Sequence, residues 1–145
     1  MHWQKEKYLI TADTAEVDID VIRQYLSGQS YWAKGIPRKT VARSVQHSIC
    51  FSVLHQDAHI GFARVVSDHA TVAYVGDVFV LPAHRGQGLS KWLMECIIAY
   101  PDLHGLRRWM LATADARSLY AKFGFTAVKA PERWMEKHDM DVYKN

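Results

Sequence analysis

Two hydrophobic rhythms divide the chain. Val21, Ile22, Tyr25 and Leu26 recur at helical spacing behind Asp18 and Asp20, either of which suits an N-cap, and Gly28 marks the expected stop. Pro37 suits the first turn of a second helix that carries Val41 and Val45 inward. From Ile49 the period drops to two. Ile49, Phe51 and Val53 alternate with Cys50, Ser52 and Leu54, which predicts a strand. A Gln56-Asp57 turn leads to a second strand, Ile60 to Val66, and a third runs from Thr71 to Leu81. Three strands with short connections predict an antiparallel meander.

The helical period then returns in its strongest form. Leu89, Trp92, Leu93, Cys96, Ile97 and Tyr100 make one apolar stripe, closed by Pro101. Arg108 to Thr113 reads as a strand, and Ala116, Leu119, Tyr120 and Phe123 as a short helix ending at Gly124, where a left-handed C-cap belongs. Phe125 to Val128 and Trp134 to Lys137 are expected as final strands, and Tyr8 to Ile10 as a short first one. The order predicts an α/β protein with a mixed sheet.

Composition narrows the picture modestly. With 145 residues, a single domain spanning 1–145 is expected. Apolar residues make up 49% and charged residues 23%, an ordinary globular balance without a bilayer-spanning run. Met1 to Ile10 carries scattered charges and no apolar core of a leader, so a cytoplasmic protein is expected. The net charge of +3 has no basic stripe behind it, which argues against nucleic acid and allows a small anionic ligand. Cys50 and Cys96 read as buried reduced thiols. His55 and His59 flank a turn rather than share a helix face, and no metal is expected.

The chemistry concentrates in Val78-Phe79-Val80-Leu81-Pro82-Ala83-His84-Arg85-Gly86-Gln87-Gly88-Leu89-Ser90-Lys91. A strand passes through a glycine turn into the strongest helix, and free amides at a helix N-terminus make an anion site. Gly86 and Gly88 let the backbone approach a ligand, with Arg85 and Lys91 adding positive charge at either end. A Walker loop would need Gly-Lys-Ser/Thr, which is absent, and a dinucleotide fingerprint starting at Gly86 would need glycine where Lys91 stands.

Arg85-Gly86-Gln87-Gly88-Leu89-Ser90 resembles instead the pyrophosphate loop of the GNAT N-acetyltransferases, with Ser90 in place of the usual Gly or Ala. Leu119-Tyr120-Ala121-Lys122-Phe123-Gly124-Phe125 resembles a second segment of that family at the right spacing. The resemblance implies a central, mostly antiparallel sheet flanked by about four helices, and acetyl-CoA as cosubstrate. It implies that pantetheine pairs with the backbone of Val78 to Val80, while the amides of Gly86, Gln87, Gly88, Leu89, Ser90 and Lys91 take the pyrophosphate. A neutral amine would attack the thioester, Tyr120 would protonate the leaving thiolate, and the Val80 amide would hold the oxyanion. Arg117 and Lys122 could meet the 3′-phosphate or be plain surface charges.

Several residues keep two readings. Tyr120 also lies on an apolar stripe and could be a core residue. Asp77 interrupts an apolar strand, as general base or as a structural partner of Arg64, and Gly76 is expected to mark a bulge beside it. Many relatives have Asn where Thr113 stands, so its pantetheine contact would rest on a hydroxyl. Tyr31 and Trp32 could wall an acceptor amine or pack on the core, and Glu132, Arg133 and Trp134 pose the same question. The leading expectation is an enzyme acetylating a small-molecule or peptide amine. The alternative is an acyl-CoA-binding sensor or assembly module without turnover. The family's last strands often pair two copies, which leaves a homodimer open.

Overall fold

The computed structural model describes residues 1–144. Six strands, β1 (His2–Lys5), β2 (Tyr8–Thr11), β3 (Ile49–His55), β4 (Ala58–Ser67), β5 (Val72–Val80) and β6 (Arg108–Met110), form one sheet in sequential order. The first five pair antiparallel, and β6 joins β5 in parallel. Among the described residues there are also four α-helices: α1 (Ile19–Gly28), α2 (Arg38–Gln46), α3 (Leu89–Ala99) and α4 (Arg117–Ala121). This is the mixed, mostly antiparallel sheet with four helices that the sequence implied.

The sheet is buried on both faces at its centre. Phe51, Val53 and Val65 pack with Leu93 and Ile97 of α3 on one side. Cys50, Phe62 and Phe79 pack with Ile22, Leu26, Val41 and Val45 of α1 and α2 on the other. Both phases of β3 are therefore buried, because each faces its own helical layer. Phe51 and Phe62 are fully buried, each worth ~2–3 kcal/mol by transfer out of water. The caps resolve locally. Asp18 accepts from the amides of Asp20 and Val21 and starts α1, while Asp20 lies in the first turn. Pro37 takes the N-cap position of α2, one residue before its first turn. Gly124 adopts φ 90°, and Phe125 N–H closes back on Tyr120 O at 3.3 Å, the Schellman ending expected of a left-handed glycine.

Four expectations are corrected. The first strand, Tyr8 to Ile10, is the second half of a hairpin. Its partner β1 turns only Trp3 partly inward, so no apolar alternation marks it. The bulge lies at Asp77, not Gly76: Phe62 pairs with Phe79 and Arg64 with Gly76, so Asp77 and Val78 stand opposite Ala63 alone. Asp77 takes φ 52°, whereas a Cβ on Gly76 would come within 3.2 Å of the Tyr74 ring. The glycine is there for close approach. The strand expected over Arg108 to Thr113 stops at Met110, since the bulge carries β5 away from its neighbour. Phe125 to Val128 and Trp134 to Lys137 do not form strands, because three residues of β6 offer too short an edge to pair with. Among the described residues, no helix is long and apolar enough to cross a membrane.

Candidate active site

The glycine turn is built as the sequence suggested. After a single 3-10 turn at Pro82–His84, Gly86 and Gly88 take φ 80° and 76°, and Gly88 is the N-cap of α3. A Cβ on either glycine would meet nothing within 4 Å, so that face of the loop is open. The first bond of the helix runs from Trp92 N–H to Gly88 O. Among the described residues, the amides from Gly86 to Lys91 donate to no group. Leu89 is buried, Ser90 half-buried and Lys91 exposed. An eleven-residue helix with unspent amides at its N-terminus favours an anion there.

Arg85 departs from its expected place at the loop's end. Its Nε donates to Val80 O at 2.9 Å and its Nη2 to Tyr25 Oη at 3.0 Å, so the guanidinium folds back onto β5 and α1. Tyr25 in turn stacks on Phe79, centroids 4.1 Å apart. A second tie comes from β2: Tyr8 Oη lies 2.9 Å from His84 Nδ1 and donates to Gln87 Oε1 at 3.4 Å. Both ties hold the loop through side chains distant in sequence, which no local pattern signalled.

Where β5 and β6 part, a cavity of about 760 Å³ opens. Their pairing ends at Tyr74 with Met110, so the edge of β5 from Val75 to Val80 that faces β6 carries no ladder. Val78 lines the cavity, while the side chains of Phe79 and Val80 are buried in opposite layers and leave only backbone for a ligand. The opposite wall is Leu111 to Ala116 with Tyr120. Tyr120 is 8% exposed, and its phenol is pushed up to about 12, first by burial and then by the neighbouring Tyr31 and Asp115. Its hydroxyl has no partner among the described residues, and Tyr120 lines the cavity, so the residue is at once a core side chain and a cavity wall. Thr113 Oγ1 accepts from the amides of Asp115 and Ala116 in a turn just ahead of α4, and its own proton has no acceptor among the described residues.

Asp77 is held from two sides. Arg64 Nε donates to Oδ2 at 2.8 Å, and Trp32 Nε1 donates to Oδ1 at 2.9 Å. Arg64 also donates to Ser48 Oγ at 3.1 Å. The ion pair with Arg64, one of the two readings of Asp77, is therefore formed. Tyr31 packs edge-on against Trp32 and accepts from Ala114 N–H at 2.9 Å. One exposed dipeptide thus ties the α1–α2 connection to both diverging walls. Glu136, Lys137, His138 and Tyr143 close the remaining side. Sequence reasoning missed these four, because they reach the site through an irregular C-terminal course. Trp134 instead lies under the Arg108 guanidinium, 4.9 Å from its ring centroid. Cys50 and Cys96 are free, buried thiols pushed up to about 12 by burial, unsuited to nucleophilic work. No group of three or more metal-ligating side chains occurs among the described residues.

A glycine turn with unpaired amides stands beside a split pair of strands, and comparison with known proteins gives the class of protein. The family model of the acetyltransferase (GNAT) domain matches residues 46–127. A crystal structure of a Xanthomonas campestris protein assigned to the GNAT family superposes with a TM-score of 0.93 at 47% identity, covering 95% of this chain and 97% of that one. A Gibberella zeae protein assigned to the acetyltransferases is 28% identical over 83% of this chain and 80% of its own length. A Clostridium acetobutylicum protein solved with acetyl-CoA shares the fold, with a TM-score of 0.64 at 15% identity over 90% and 94% of the two chains. The chain belongs to the GNAT acetyltransferases and is an acyltransferase. Enzymes of this fold in general use acetyl-CoA.

Proposed function

We propose that this chain is an N-acetyltransferase that moves an acetyl group directly from acetyl-CoA to an amine of a small molecule or peptide, as one cytoplasmic domain. One observation carries the reading: unspent amides from Gly86 to Lys91 lie one short turn beyond the unladdered edge of β5 that lines the cavity. Acetyl-CoA supplies the activated acetyl group as a thioester. The residues present fit it, since both glycines leave the loop face open and Val78 to Val80 offer backbone to an extended arm.

The remaining roles belong to side chains of the cavity. Tyr120 keeps its proton at physiological pH and offers it to the departing sulfur as the C–S bond breaks; the phenolate left behind, the stronger base of the two, takes a proton back from solvent. The Val80 amide stabilises the oxyanion. Asp77, although it already accepts one hydrogen bond at each oxygen, keeps further lone pairs with which to receive the amine's proton, directly or through water. Thr113 offers its free hydroxyl proton to the pantetheine arm. Tyr31 and Trp32 form the aromatic wall for the acceptor. No metal enters these steps, and neither nucleic acid nor a membrane is a partner.

Calorimetric titration with acetyl-CoA, followed by thiol release against a panel of amines, tests the reading. Micromolar binding with release for one amine class supports it. Binding without release across the panel favours a sensor, and failure to bind overturns it.

A further inference from the structure

Trp32 does not sit where a core aromatic would. It is 40% exposed and its neighbour Tyr31 55%, although Ser30, Ala33 and Ile36 around the pair are buried. The connection from α1 to α2 keeps this shape by its own bonds. Ser30 Oγ donates to Leu26 O at 2.6 Å and accepts from Ala33 N–H at 3.0 Å, while Gly35 N–H donates to Ser27 O at 3.2 Å. At the other end of the dipeptide, Tyr31 Oη is anchored by Ala114 N–H at 2.9 Å. Core packing therefore does not place the indole. Its one polar atom does, because Nε1 donates to Asp77 Oδ1 at 2.9 Å across 45 positions of sequence.

Asp77 needs a second donor to be held in one orientation. It stands on the bulge of β5 at φ 52°, and Arg64 Nε grips only Oδ2, at 2.8 Å. The terminal torsion of an aspartate is broad, so a carboxylate held at one oxygen still swings about that bond. The indole N–H on Oδ1 removes this freedom. With a donor on each oxygen the plane of the group is set, and so are the directions of its remaining lone pairs. Indole is also an uncharged donor, which orients the carboxylate without adding a second cation beside it.

We propose that Trp32 is a positioning residue for acetyl transfer: its indole N–H aims the Asp77 carboxylate at the acceptor amine. The inference rests on the reading of Asp77 as the group that receives the amine's proton. In that step nitrogen bonds to the acetyl carbon and passes its proton to Asp77, the C–S bond breaks, and sulfur leaves with the electron pair. Trp32 exchanges no proton. A neutral hydrogen bond makes a carboxylate a weaker base, by roughly fivefold. Misplacing a reacting group by about 1 Å costs ~10²-fold, so orientation outweighs the lost basicity.

Trp32→Phe tests the assignment, because it keeps an aromatic ring at the acceptor's wall and removes the N–H. The expected result is a fall in kcat of about tenfold or more, with the amine's KM changed by less than about threefold. In an Asp77→Asn background the same substitution should cost little further, since the group it aims is gone. A raised KM at unchanged kcat would leave Trp32 as wall alone, and equal losses in both backgrounds would mean that it acts through another group; either overturns the proposal. Asp77→Asn at full rate overturns the reading of Asp77 and this inference with it. A slow Asp77→Asn beside a fast Trp32→Phe overturns this inference only. The indole N–H proton resonance, assigned by its absence in Trp32→Phe, reads the contact without turnover. Asp77→Asn should shift it upfield, and an unmoved resonance would also overturn the proposal. Circular dichroism checks that the variants keep the fold.

Discussion

Arg64 and Asp77, on adjacent strands, meet across the bulge that splits the sheet, with Nε and Oδ2 2.8 Å apart and both side chains largely buried. The pair therefore joins the stability of the β4–β5 ladder to the geometry of the cavity. Removing one member strands a charge that has lost its water. Arg64→Met is expected to lower stability by about 2 kcal/mol, less than for a fully dry pair because Arg64 keeps some solvent. Asp77→Asn keeps an oxygen for Trp32 and weakens the Arg64 contact, so it costs less stability. If Asp77 takes the amine's proton, this variant loses rate far beyond its loss of stability. Urea unfolding beside steady-state kinetics separates the two roles: equal, small effects on both would leave Asp77 as a structural partner only.

Tyr120→Phe removes one oxygen from a side chain whose ring packs edge-on against Phe125 and the α3-side core. The ring stays, so the fold and the affinity for acetyl-CoA are expected to hold. The rate of thiol release should fall by about 10²-fold or more, the usual scale for losing a positioned acid. Since burial raises the phenol to about 12, the wild-type rate carries no falling limb from this group between pH 7 and 10. An unchanged rate in the variant would return Tyr120 to the core alone.

Gly88 occupies the left-handed region at φ 76° with nothing near its missing Cβ, so the cost of a side chain there is backbone strain and not a clash. Gly88→Ala is expected to cost about 1 kcal/mol of stability and to weaken acetyl-CoA binding, while Gly88→Asn, which tolerates that region better, costs less of both. Calorimetry on the two variants gives the order directly. Equal affinities for both variants and the wild type would mean that the turn does not cradle the ligand.

These tests fall on residues of unequal legibility. The turn from Arg85 to Lys91 and the α4 segment around Tyr120 were readable because glycine geometry and helical period are local properties. Arg85 shows the limit of that reading. Its charge was legible, but its direction is set by Tyr25, sixty residues away, and by the end of β5. The wall made by Glu136 to His138 was illegible for the opposite reason. Trp134 to Lys137 has the composition of a strand, and composition does not reveal that three residues of β6 leave it no edge. Asp77 lies between these cases: its interruption of an apolar strand was visible, whereas its left-handed backbone and its two donors required the fold.

His59 makes stability depend on pH. It is 7% exposed on β4, neither ring nitrogen has a partner among the described residues, and burial pushes its imidazolium down to about 4 against 6.5 in an open chain, opposed by Asp18. Between those values the unfolded chain binds the proton and the folded chain does not, so the unfolded state is favoured as pH falls. Stability is therefore full above about pH 7 and is lost progressively from 6.5 toward 4. From about pH 7.5 to pH 5 the expected loss from this group is about 2 kcal/mol. Urea unfolding at the two pH values measures it, and His59→Leu should flatten the dependence. A slope that persists undiminished in His59→Leu would assign the acid sensitivity to other groups.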